Sequence, residues 1–336
     1  MSWQSQNQFK VRNLVLSDKK QNAWGVAITD AELVRRVPFD SSSYASLVVA
    51  FGSDQARVGK GTTFPTQRWA TEQTADFSNL AFDLDDYLLG WIPAFAMGAI
   101  STTGSAAPYT HTITFDESQG DALPTTIYAE DTSGLKRRFL DMCVNQAQFS
   151  GSGRGPVQAS VTMMGTGKLT AGAITSLPDL AARTMLMFMD TAFLIGAPGS
   201  PAAIDADRVA SWSITLNNNL VRRSGPGSGL FSNKITVGQQ VAQFSATIFA
   251  KETDDLVTLL TGQTEQEIQI NINSGADCQL KFDFPSIFLS AVTPGTQDGL
   301  VILNISSDQN SILAGASAPL TVTAINSQAS YLTAAA

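Results

Sequence analysis

Polar and apolar residues alternate along much of this chain. The cleanest run is Trp212-Ser213-Ile214-Thr215-Leu216, ahead of an Asn217-Asn218-Asn219 turn. A period of two puts Trp212, Ile214 and Leu216 on one face of a strand and the hydroxyls on the other. Residues 62–82 alternate more loosely, with Trp69, Thr71, Gln73, Ala75 and Phe77 sharing a face. β-Branched and aromatic content predicts further strands at 47–51, 109–115, 125–129, 139–149 and 157–163. Turn residues Gly151 to Pro156 separate the last two. Residues 170–183 read as a connector. Beyond them, 185–195 reads as a strand pair and 235–250 as one long strand. Shorter strands are expected at 268–272, 280–284, 287–291, 300–305 and 320–325.

Helical patterns are few. Asp85 and Asp86 stand ahead of Tyr87-Leu88-Leu89, where a carboxylate satisfies free amides and the positive end of a helix dipole. Gly90 or Pro93 is expected to end that helix. Asp254 and Asp255 head a second candidate, and Asp30 is expected to cap a short helix in the amphipathic stretch 30–37.

The elements recur. Thr71 to Ser78 reads Thr-Glu-Gln-Thr-Ala-Asp-Phe-Ser and Gly238 to Ser245 reads Gly-Gln-Gln-Val-Ala-Gln-Phe-Ser. In both places a phenylalanine follows (Phe82, Phe249), then an Asp-Asp pair and an apolar run. The spacing is close to half the chain, which suggests one domain-sized unit used twice. The expected organisation is an arm at 1–37, a first domain at 38–172, and a second at 173–336 with a short C-terminal extension. Strands dominate each half.

Composition sharpens this. At 336 residues the chain can hold two ordinary cores, and 43% hydrophobic content is globular. Charged residues make up only 15%, which suits a β-rich surface in contact with other protein. The net charge of −8 argues against a basic grip on nucleic acid. The polar start of the sequence lacks an apolar signal core, and the apolar stretch 87–100 is too short to cross a bilayer. Synthesis in a cytoplasm is therefore expected. Cys143 and Cys278 read as buried thiols rather than a disulfide.

Catalytic chemistry is poorly provided for. His111 is the only histidine, and its Thr-rich alternating strand makes it a strand-face residue rather than a general base. One histidine and two distant cysteines cannot complete a zinc site. The acids Asp83, Asp85 and Asp86 lack the EF-hand pattern, because Tyr87 and Leu88 fall where an oxygen ligand and a glycine are required. The same reading as helix caps applies to Glu252, Asp254 and Asp255. Gly59-Lys60-Gly61-Thr62 fails the phosphate-loop spacing, and the glycines of 225–229 fail the dinucleotide fingerprint. Both loops read as hairpin connections or subunit contacts. Trp91, Ile92, Phe95 and Met97 form core or an interface patch. Arg35-Arg36, Lys136-Arg137-Arg138 and Arg222-Arg223 read as loop charge, or as partners for an adjacent subunit's acids. No catalytic, cofactor-binding or metal-ligating residue is assigned.

The segment Ala210 to Leu220 resembles the strand-and-turn signature of tail tube proteins of long-tailed bacteriophages. So does Leu123 to Glu130, followed by the 139–163 hairpin. A long strand leading into an Asp-headed helix, in both halves, is similar to family versions with a duplicated tube domain. The resemblance covers roughly residues 40–305.

It implies a mainly β fold: two tandem tail-tube-like β-sandwich or barrel domains, each with one α-helix. It implies no enzyme and no cofactor. It further implies a structural virion protein that assembles with itself into stacked rings, forming a tail tube through which the genome passes. A duplicated chain reaches pseudo-sixfold symmetry as a homotrimer; a homohexamer is the second possibility. Tail terminator, tape measure and tail-tip proteins are the implied partners, with no membrane and no specific binding of DNA. The acidic balance leads us to expect a lumen that repels phosphates, with the arm and Gly-rich loops touching stacked rings. Composition alone fits another virion component as well, such as a tail-tip or capsid decoration protein. Five tryptophans and paired acids also fit a carbohydrate-binding or carbohydrate-processing β-protein, but that chemistry needs two carboxylates about 5–10 Å apart in a cleft.

Overall fold

The computed structural model describes residues 11–38, 46–53, 64–65, 67–131, 136–180, 182–251, 264–308, 311–313 and 318–335. The helix expected at Asp254 and the loop at Gly59 lie outside them. The fold is mainly β, as the alternating pattern predicts. In chain order the first strands are β1 (Val11–Leu16), β2 (Arg35–Val37), β3 (Ser46–Ser53) and β4 (Arg68–Asp83). Helix α1 (Leu88–Met97) follows, then β5 (Gly98–Thr103), β6 (Tyr109–Phe115) and β7 (Thr125–Asp131). Strands β8 (Lys136–Ser152), β9 (Gln158–Gly165) and β10 (Leu169–Ala171) close the first half.

The second half opens with β11 (Thr191–Gly196), β12 (Ala202–Ala203), β13 (Val209–Asn217), β14 (Val221–Arg223) and β15 (Lys234–Thr236). It continues with β16 (Val241–Phe249), β17 (Gln266–Asn273) and β18 (Gln279–Ile287). Last come β19 (Ala291–Gln297), β20 (Leu300–Ser306) and β21 (Thr321–Asn326).

Two antiparallel sheets sandwich one continuous core. The larger contains the path β3-β4-β9-β8-β13-β16-β20-β19, and the N-terminal part of β8 also carries β7, β1, β2 and β10. The smaller sheet runs β12-β11-β17-β18-β21-β6-β5. Alternation explains the layering: Phe149, Ile214, Phe244 and Phe282 point into the shared core and are buried. Each sheet is continuous across the two halves, through β8 with β13 in one and β6 with β21 in the other.

Several expectations need correction. Residues 11–37 are woven into the body rather than standing out as an arm. There β1 lies between β2 and β7, Leu14 and Leu16 join the core, and Trp91 Nε1 donates to the Ser17 carbonyl at 2.7 Å. The stretch after Asp30 is a single 3-10 turn followed by β2. Asp30 caps nothing; its carboxylate accepts from Thr175 and pairs with Arg138 at 2.6 Å. The expected strand pair at 185–195 is an extended stretch, a 3-10 turn and one strand. The expected long strand at 235–250 is broken, because Val237 and Gly238 donate their amides to Gly120 and Asn218 instead of a ladder.

Helix α1 passes through both Gly90 and Pro93 and stops at Gly98, whose φ of 94° reverses the chain. Proline removes one helical hydrogen bond, but all ten residues of this helix are buried, and burial outweighs the lost bond. Trp91, Ile92, Phe95 and Met97 are therefore core.

Candidate assembly surface

The residues singled out for chemistry are occupied in structure. Asp85 is fully buried, and its Oδ1 accepts from the Tyr87 and Leu88 amides at 3.1 and 2.8 Å. Its Oδ2 meets Arg183 at 3.4 Å, which ties the connector to the helix start. Asp86 does not cap. It pairs with Arg35 at 3.3 Å, and burial together with the charge of Asp85 raises its pKa. Asp83 ends β4, where it pairs in register with Gln158.

His111 is enclosed between β5 and β21. Thr102 Oγ1 lies 2.8 Å from Nδ1, while Nε2 lies 2.9 Å from the Gln328 carbonyl and 3.1 Å from Asn326 Oδ1. Two oxygen acceptors at Nε2 select the neutral tautomer with its hydrogen there. Burial lowers its pKa against the hydrogen bonds that raise it. Both cysteines are free and buried, and burial pushes Cys278 up to about 12.

The basic clusters fold back on their own chain. Arg35 lies over the Tyr87 ring, 5.2 Å from its centroid. Lys136 pairs with Glu130 at 3.7 Å, and Arg222 pairs with Asp76 while donating to the Gly165 carbonyl. The Gly-rich loop at 225–229 joins the hairpin strands β14 and β15, and it is closed by Ser228 bonding to the Gly225 carbonyl.

Pattern reading missed two polar anchors. Asp141 holds a φ of 58° in β8, fully buried, with Oδ1 accepting from the Gly25 amide and Oδ2 from Thr166 Oγ1, each at 2.6 Å. By sequence Asn218 reads only as a turn residue. Its Nδ2 donates to the carbonyls of Ala96 and Val144, which fastens the end of β13 to the end of α1 and to β8. A lone aspartate inside an apolar stretch of strand was the available signal for Asp141.

What remains open is the large sheet itself. Its eight-strand path repeats: β3-β4-β9-β8 is followed by β13-β16-β20-β19, every neighbour antiparallel. In both sets the last two strands in sheet order are a hairpin, β8 with β9 and β19 with β20. The sequence repeat falls on matching strands, with Phe77 of β4 and Phe244 of β16 both buried. A bulge between Phe77 and Leu80 then shifts the first copy by one residue. Phe82 consequently points into the core, whereas its counterpart Phe249 is only half-buried.

Among the described residues β3 pairs only with β4, and β19 only with β20. Apolar side chains lie exposed on the end strand β3 (Leu47, Val48 and Phe51) and on β20, the strand next to the other end (Leu300 and Val301). Long antiparallel sheets make this a mainly β protein. The match of residues 14–324 to the family described as phage tail tube protein makes it specific, and the chain belongs to that family. A search of curated proteins finds no match. The family match takes in the second half of β1 and most of β21, beyond the 40–305 expected from the sequence. The chain is thus a structural protein of the phage tail, from a family that is typically non-enzymatic. No helix among the described residues is long and apolar enough to cross a membrane.

Proposed function

We propose that this chain assembles as a ring of three, that rings stack into the tail tube, and that the tube conducts the genome into the host. The observation that carries the reading is the head-to-tail repetition of the large sheet. Strand β8 ends the first set and pairs antiparallel with β13, which begins the second. By the same relation β19, the counterpart of β8, pairs with β3 of a neighbouring chain, the counterpart of β13. The two edges run in opposite directions, as an antiparallel pair requires.

The register follows. Within the chain Gln148 faces Thr215 and Ala147 faces Leu216. Carried through the repeat, these become Thr293 facing Ser46 and Val292 facing Leu47 of the next chain. Closing such a ring removes the exposed edges, which otherwise invite uncontrolled pairing. Each chain supplies two equivalent sets of strands, so three chains give pseudo-sixfold symmetry. Tail terminator, tape measure and tail-tip proteins are the partners this reading implies at the ends and in the bore.

Electron microscopy of concentrated pure protein tests the reading: hollow tubes or discs with a central hole are expected, and dispersed monomers overturn it. Native mass spectrometry of disassembled rings is expected to give three chains. A Ser46→Cys, Thr293→Cys double variant is expected to form an interchain disulfide in tubes, which neither single variant does.

A further inference from the structure

Two hairpin tips stand at the same end of the large sheet. The turn between β8 and β9 follows the ladder pair Ser150 with Gln158 and carries exposed Arg154. The turn between β19 and β20 follows Gln297 with Leu300 and carries exposed Asp298, whose φ of 52° suits a two-residue turn. Ser152 lies opposite Ser211 and Phe249 opposite Ile302, so both tips flank the Val209 end of the β13–β16 pair. In the repeat β8 answers β19 and β9 answers β20. Counterpart tips therefore carry opposite charge, four strands apart along the sheet.

The Asn217 end carries a second exposed pair of opposite sign. Glu117 borders a hollow of about 390 Å³ shared with Gln239, Val241 and Ala242 at the start of β16. Arg223 follows Arg222, which is held by Asp76 of β4 and the Gly165 carbonyl of β9. Along the sheet the cation comes at β4 and β9 and the anion at β16, the same order as Arg154 and Asp298. The spacing is close as well, at three to four strands against four.

None of the four has an ion-pair partner among the described residues, and Arg223 uses only its Nε, donating to Thr236 Oγ1 at 3.1 Å. Lys251 with Asp205 at the first end, and Lys234 with Asp121 at the second, are by contrast paired within the chain.

Resting on the ring reading, we infer that these charges set how one ring seats on the next, with Arg154 meeting Glu117 and Asp298 meeting Arg223 of the stacked ring. One rotation brings both pairs together, because order and spacing match at the two ends. A seating half a chain away sets Arg154 against Arg223 and Asp298 against Glu117. Six identical chains would carry the same charge at every tip; only a duplicated chain can alternate. The stack is thereby keyed every third of a turn rather than every sixth. Exposed ion pairs are individually weak, so the keying comes from register and from repulsion in the wrong seating.

Charge reversal tests it. Arg154→Glu is expected to leave rings of three intact by native mass spectrometry, and to raise the concentration needed for tubes about tenfold or more. Adding Glu117→Arg to the same chain is expected to bring that concentration back down. Asp298→Arg, alone and then with Arg223→Asp, repeats the test at the other contact. Single variants that form tubes as readily as the unmodified chain, or double variants no better than the singles, overturn the inference and leave the ring reading standing. Absence of rings from the unmodified chain overturns both.

Discussion

Gly151 lies opposite Trp212 in the β8–β13 pair, and a Cβ built on Gly151 would stand 2.8 Å from the indole nitrogen and 2.7 Å from the Phe188 ring. The junction between the two strand sets therefore closes over a position with no room for a methyl group. Gly151→Ala is expected to destabilise the chain by about 1–3 kcal/mol through overpacking. Urea unfolding followed by tryptophan fluorescence measures this, and an unchanged midpoint would show that the indole moves aside.

Asp85 serves the helix start and Arg183 with different oxygens. Asp85→Ala removes both and is expected to cost about 2 kcal/mol or more, since a lost cap adds to a stranded arginine. Asp85→Asn retains one carbonyl oxygen for the amides and is expected to fall between wild type and alanine. Chemical denaturation of the three proteins side by side checks the order.

His111 links stability to pH. Its folded pKa lies below the usual 6.5, so between the two values the unfolded chain binds more protons than the folded one. Stability is expected to fall as pH drops through 6.5 towards the folded value, and to be fully present above 6.5. His111→Gln keeps an N–H donor without a titrating ring. Between pH 7.5 and 5.5 the unfolding midpoint of the unmodified chain is expected to fall further than that of His111→Gln, and the difference is the His111 share. Asp86, with its raised pKa, acts in the opposite direction at lower pH and is common to both proteins.

Asn218→Ala is expected to destabilise by about 1–3 kcal/mol, because two buried carbonyls, Ala96 and Val144, lose their donor. Hydrogen exchange at the last turn of α1 is expected to quicken in this variant, which a uniform loss of stability would not single out.

Much of the fold was legible because one-sided burial imposes a period of two. Trp212, Ile214 and Leu216 are buried as their alternation predicts. The carboxylate at Asp85 meets the helix start because its short side chain reaches the free amides there. What escaped the sequence was settled by distant contacts. Ala75 and Phe77 turn inward as predicted, yet Trp69 on the same expected face is exposed, because a bulge at Thr71 switches the face of β4 ahead of them. Pro93 reads locally as a stop, but the surrounding sheets bury the helix on every side. The segment 11–37 lacks a strong pattern, and its place depends on β7 being there to receive β1. The proposed assembly surface was half visible: the repeat pointed to equivalent strands, while the order that joins them head to tail depends on the β8–β13 pairing.

That order has a consequence for growth. In the proposed ring each added chain covers one edge and presents another, so an open chain of any length keeps two. Only the closing contact leaves none. Once rings form, assembly is then expected to pass from free chains to finished rings with little in between.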